Sequence, residues 1–301
     1  MTAVERTAYP RLKAKLTHQE LEETYQPTKD EIFWATHHTQ SELARGQLLI
    51  LLKVVQHLGY FPKPNTIPSI IIVHISQNLP QTTELDMDTL VSNTRYRYYP
   101  LIREYLQIKR YNQGGEAVAI QAIQQAALTM DNPADLINAA LEELVRQRFL
   151  LPAYSTINRL VGHLRRQLNS YIYQQIEQKL TISQQSQLFE LLTVRIGELT
   201  SDFNQLKQVA GPPKLTEMRR MIHRIRWLDN LLNTRPILTE LSPKRIKRFA
   251  AEANALEINE LKDMQTSRQL TLLVCLLYQA QVGVRDQLVE IFIKRMSKIH
   301  R

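Results

Sequence analysis

The chain has 301 residues, 44% hydrophobic and 22% charged, an ordinary globular balance that makes folded domains, not disorder, the expected state. Its net charge of +9 favours a polyanionic partner, and its single cysteine, Cys275, excludes both a disulfide framework and a cysteine zinc cluster. The longest apolar run, LTLLVCLLYQA from Leu270, is too short to cross a bilayer and the N-terminus has no apolar signal core, so a soluble cytoplasmic protein is expected.

Eight glycines in 301 residues is about half the usual share of roughly 7%, and Leu, Gln, Arg, Ala and Glu recur at helical spacing, which makes all-α the expected fold class. SELARGQLLILLKVVQHLG reads as a helix capped by Ser41 and stopped by Gly59. Pro68 suits the first turn of PSIIIVHISQNL, read as a helix although its β-branched run leaves a buried strand open. Asp86 and Asp88 suit a helix start, where carboxylates cap free amides. TRYRYYPLIREYLQIKRY comes next, within a +4 island over residues 95–110. There Leu101, Ile102, Tyr105 and Leu106 form a stripe, leaving Arg95, Arg97, Arg103, Lys109 and Arg110 outside as candidate DNA contacts. Its tyrosines serve either phosphate contacts or the rim of a core.

Gly114 and Gly115 form the one double glycine and mark a linker. EAVAIQAIQQAALTM reads as a helix, and Asn132 with Pro133 starts another, through Phe149. LLPAYST breaks it, and Ser155 can cap TINRLVGHLRRQLNSYIYQQIEQKL, whose Ile157, Leu160, Val161, Leu164 and Leu168 share one face. Arg159, His163 and Arg166 share another, with Thr156 and Asn158 near its N-terminus, inside a +5 island over 146–179. This is the candidate recognition helix, because a helix fits the major groove, Arg pairs with guanine and Asn with adenine. A solvated basic face is the competing reading.

The third island, +7 over 214–248, holds two segments. In MRRMIHRIRWLDNL, Met218, Met221, Ile222, Ile225 and Leu228 are expected to line a core, with Arg219, Arg220 and Arg226 outside. In SPKRIKRFAAEANAL, Ser242 and Pro243 open a helix whose first turns carry Lys244, Arg245, Lys247 and Arg248. Cations there oppose the helix dipole unless an anion is near, so the placement fits either a phosphate contact or a solvated cluster. From Arg268 a long helical pattern, with Gly283 as its point of interruption, runs to Arg301 without a stop signal, as expected either of a polypeptide cut from something longer or of a natural terminal helix that frays.

The stretches RLKAKLTHQEL, LLILLKVVQHLGYFP, TRYRYYPLIREYL, DNPADLINAALEELVRQRFLLPAYSTINRLVGHLRRQLN and RIRWLDNLL, in this order, resemble the N-terminal region of Tn-three family transposases. The resemblance implies a non-catalytic, helical portion of a transposase that binds the double-stranded terminal inverted repeats of a transposon, its nuclease centre lying further on. It implies two or more DNA-binding modules with helix-turn-helix-like elements. The expected division is residues 1–112, residues 116–212 with recognition helix 156–179, and residues 213–301. Self-association of the full transposase is a further implication. Tyr99 and Pro100 depart from the family's proline-free run, which speaks against one helix through Arg95 and Arg103. No catalytic residue, metal site or cofactor is expected: the chain has no glycine-rich phosphate loop, no HExxH and no GxSxG. His37 and His38 are adjacent and point apart on a helix, as surface residues. The rival reading is a helical protein-interaction fragment that associates with an intact transposase.

Overall fold

The computed structural model describes residues 4–79, 85, 87, 89, 90, 92–194 and 200–299, with backbone alone at 92, 298 and 299. Asp86 and Asp88 lie outside the described residues. Fourteen α-helices occur among those described, with no strand and one isolated parallel bridge, Lys109 to Phe149. Residues pack as two units, Met1–Leu164 and Arg165–Arg301. The expected segment 1–112 falls in the first unit, 213–301 falls in the second, and 116–212 spans the division between them.

The first unit is built around α3. Helices α1 (His18–Tyr25) and α2 (Lys29–His38) begin with capping boxes at Thr17 and Thr28, and α3 (Glu42–Leu58) begins at Ser41, whose hydroxyl accepts from the Ala44 amide. Leu48 to Leu52, Val54, Val55 and Leu58 are buried on every side of α3, the pattern of a central helix. Each such side chain contributes about 1.5–3 kcal/mol of burial. Helices α1, α2, α4 (Ser69–Gln77) and α5 (Ser92–Leu106) surround it. The β-branched run is therefore helix, with Pro68 as N-cap rather than inside the first turn.

Helix α5 runs unbroken through Pro100, against the expectation drawn from Tyr99 and Pro100. Proline costs an amide and crowds the carbonyl four residues back. Here Pro100 is exposed, so the freed Tyr96 carbonyl is on the wet side, while Tyr98 and Ile102 are fully buried opposite. Tyr99 also stacks on Phe61 at 4.0 Å. Tertiary burial outweighs the local penalty.

Helices α6 (Glu116–Ala126) and α7 (Pro133–Arg146) form an antiparallel pair, α7 capped by Asn132 as expected. Gly114 and Gly115 make a packed turn rather than an open linker segment. Gly114 has φ +110°, and a Cβ on Gly115 would stand 2.9 Å from the Tyr111 ring and 3.2 Å from Phe149. Helix α8 (Tyr154–Lys179) starts one residue before Ser155, which therefore lies in its first turn and not at its cap.

The second unit packs α9 (Ile182–Glu190), α10 (Asp202–Leu206), α11 (Leu215–Asn230) and α12 (Pro243–Ala255) around α14 (Thr266–Ile299), with the short α13 (Ile258–Lys262) between the last two in sequence. Leu270, Leu272 to Leu277 and Phe249 fill its core. Cys275 is among them, and burial pushes its thiol pKa far up, so it stays a protonated apolar side chain. Two expectations fail here. Helix α14 continues through Gly283, and Ile222 is 41% exposed rather than in the core, because Met221 and Leu228 take the inward positions of α11. Among the described residues no helix is long and apolar enough to cross a membrane.

Candidate nucleic-acid interface

Helices α5 and α7 end in the same way. Beyond α5, Ile108 N–H donates to the Arg103 carbonyl (2.9 Å) and Gln107 N–H to Glu104 (3.1 Å); beyond α7, Phe149 N–H donates to Leu144 (2.9 Å) and Arg148 N–H to Val145 (3.0 Å). Both are Schellman caps, which need a left-handed residue that is normally glycine. Gln107 (φ 55°) and Arg148 (φ 58°) occupy it here, and the Arg148 guanidinium donates to the Gln107 side-chain oxygen at 2.9 Å. The two chains then pair: Lys109 N–H donates to Arg148 O at 2.8 Å and Leu150 N–H to Lys109 O at 2.9 Å.

This pairing joins two segments that the sequence keeps 40 residues apart and gathers cations at one end of the first unit. Arg110 and Arg148 are exposed there, and the exposed Lys109 ammonium lies 5.4 Å from the Phe149 ring centre. Arg103 is half-buried, and burial and then the charge of Arg110 depress its pKa. Like charges gathered together repel, and a polyanion relieves that repulsion.

The same crossing fixes the start of α8. Leu151 N–H donates to the Gly59 carbonyl at 2.8 Å, and the Tyr9 hydroxyl donates to Pro152 O at 2.9 Å. Gly59 is the left-handed cap of α3, and a Cβ there would meet Leu151 at 3.2 Å. Two residues after Pro152, α8 begins, with Ile157 and Val161 buried and Asn158, Arg159 and His163 exposed. Thr156 is half-buried.

Arg97 is exposed, 5.7 Å from the Tyr98 ring centre, while Arg95 is half-buried. Arg166 is exposed on α8 in the second unit. Arg219 is exposed, and so is Arg220, which pairs with Glu217 at 2.7 Å. Lys244 and Lys247 are exposed, but Arg245 is buried and Arg248 lies over the Phe249 ring and donates to Asn169. The sequence reading missed Arg148, whose place in the site comes from its cap geometry; the absence of glycine after α7 gave no signal. His37 and His38 are exposed, each ring bonded through Nδ1 to a carbonyl of its own helix. Among the described residues no group of three His, Cys, Asp or Glu is arranged to hold a metal ion.

Residues 1–164, the span of the first unit, match the family model described as a domain of unknown function, DUF4158. The chain belongs to the DUF4158 family. It is also distantly related to the N-terminal quarter of Tn-three family transposases. The transposase for transposon Tn501 of Pseudomonas aeruginosa is 23% identical over 206 residues, 68% of this chain and 21% of that protein. The transposase for transposon Tn1546 of Enterococcus faecium is 20% identical over 249 residues, 80% of this chain and 25% of that protein. That for transposon gamma-delta of Escherichia coli is 23% identical over 171 residues, 56% and 17%. The chain thus spans about a sixth to a quarter of the length of these relatives, and their catalytic region is not covered. The cationic pairing of Lys109 with Arg148 and the start of α8 both lie within the DUF4158 unit.

Proposed function

We propose that this chain is a non-catalytic portion of a transposase that binds double-stranded DNA and recognises the terminal inverted repeats of a transposon. The observation that carries the reading is the crossing at Lys109 and Arg148, which brings the exposed Lys109, Arg110 and Arg148 together a few residues before a helix bearing exposed Asn158, Arg159 and His163. In this reading Arg103, Lys109, Arg110 and Arg148 hold phosphates and set register, while Asn158 and Arg159 read base edges in the major groove. Arg219, Lys244 and Lys247 supply further phosphate contacts from the second unit. The kinship with transposases supports the choice of DNA as the polyanion.

The test is a titration of the chain against the element's terminal repeat and a scrambled duplex across a salt series. Preference for the repeat, with affinity falling steeply as salt rises, is expected. Asn158→Ala with Arg159→Ala is expected to reduce that preference. Lys109→Gln with Arg110→Gln should weaken both duplexes alike and lower the salt slope by about 0.9 per cation lost. Equal loss on both duplexes from the first pair would sink the recognition role of α8, and no binding to either duplex would sink the reading.

One observation favours the second reading, an interaction fragment that associates with an intact transposase. Val289, Phe292, Ile293 and Met296 are exposed at i, i+3, i+4 and i+7 along α14. Co-sedimentation with the intact protein, abolished by Phe292→Glu, would support it.

A further inference from the structure

Four segments of the first unit meet in an open groove of about 590 Å³ whose walls include Tyr9, Tyr60, Phe61, Tyr111 and Tyr154, with the exposed Lys63 among them. The volume lies within the range of about 300–1,000 Å³ typical of small-ligand sites. The rings are held in place. Tyr9 stacks on Tyr60 (5.4 Å, 29°) and meets Tyr154 edge-on (5.6 Å, 75°). The Tyr9 hydroxyl is donated to Pro152 O and the Tyr60 hydroxyl to Pro10 O at 3.2 Å, while Phe61 is backed by its stack on Tyr99. Tyr111 brings a buried hydroxyl with no hydrogen-bond partner.

Fixed aromatic faces select a flat ligand, and the charge around them selects an anionic one. Among the described residues no acidic side chain lines the groove, and the nearby Glu116 carboxylate acts on Tyr111. Lys63 lines it, and Arg110 immediately precedes Tyr111. A flat base carried on a phosphate meets both conditions, whereas an aliphatic ligand uses neither the ring geometry nor the cation. Stacking on aromatic side chains beside a cationic track is how single-stranded nucleic acid is held without dependence on base identity.

We propose that this groove takes an unpaired nucleotide of single-stranded DNA, its base stacked against the tyrosines and its phosphate on Lys63. The choice of DNA rests on the reading given under the proposed function. The groove lies beside the start of α8, so it would engage a strand that has left the duplex next to the helix that reads it.

The experiment titrates the full chain into a tetranucleotide carrying one 2-aminopurine, whose fluorescence falls when the base stacks, with a blunt terminal-repeat duplex measured in parallel. Quenching by the wild-type chain is expected, with about tenfold weaker binding in Tyr154→Leu, the size of loss expected when one base–aromatic stack is removed. Lys63→Gln, at an exposed site that leaves the fold intact, is expected to weaken tetranucleotide binding and its salt dependence. Lys63→Gln should leave affinity for the blunt duplex unchanged. No quenching by the wild-type chain, or unchanged tetranucleotide affinity in Lys63→Gln, overturns the inference, and so does binding of a proline-rich peptide in its place. Tetranucleotide binding without duplex binding sinks the duplex reading alone, and duplex binding without quenching sinks this one alone.

Discussion

Gln107 and Arg148 hold a backbone conformation that costs a side-chain-bearing residue about 1–2 kcal/mol and costs glycine little. Gln107→Gly and Arg148→Gly are therefore each expected to raise the unfolding free energy by up to about 1 kcal/mol, read from denaturant melts. Their effects on DNA should differ. Arg148→Gly removes a cation from the proposed interface and should weaken duplex binding severalfold, while Gln107→Gly should leave it little changed; a stabilised Arg148→Gly chain with full affinity would remove Arg148 from the interface. Lys53 shows the opposite kind of residue. It is buried beside the buried Glu31, 3.3 Å away, and Gln56 also donates to Glu31 at 2.7 Å. Lys53→Met should cost about 3–5 kcal/mol by stranding the Glu31 carboxylate, and adding Glu31→Gln should recover much of that loss. Equal stability of the single and double variants would show that the pair is not coupled.

Among the elements, the ones legible in sequence are those whose local signals agree with their packing. Ser41 and Gly59 bound α3, and Asn132 and Pro133 open α7, since a cap is satisfied by neighbours a few residues away. Pro100 and Gly283 misled because each is a local helix breaker overruled by burial elsewhere in its helix, at Tyr98 and Ile102 in one case and Leu270 to Leu277 in the other. Gly283 has nothing within 4 Å of where a Cβ would stand and helical neighbours on both sides. Gly283→Ala should accordingly stabilise the chain by about 0.5–1 kcal/mol in a thermal melt, and a loss would show that the position needs glycine for a reason other than helix propensity.

For the molecule as a whole, stability should depend on pH through His74, which is 9% exposed with an Nε2 that has no partner. Burial, and then the neighbouring His18, hold its pKa below the usual 6.5. The folded chain then binds fewer protons than the unfolded one below pH 6.5. The stability this confers is complete above that pH and is lost as pH falls through the folded pKa. The urea midpoint should drop between pH 7.5 and 5.5, and His74→Leu should flatten that dependence; an equal drop in the variant would assign it to other groups. Composition and helical periodicity alone determined the all-α class and the spacing of the basic islands, because both are counts along the chain. What only the tertiary structure decided is which cations stand together: Lys109 meets Arg148 through backbone pairing, and Arg245 is withdrawn into a core. Such pairing depends on hydrogen bonds between residues far apart in sequence, which no local pattern encodes.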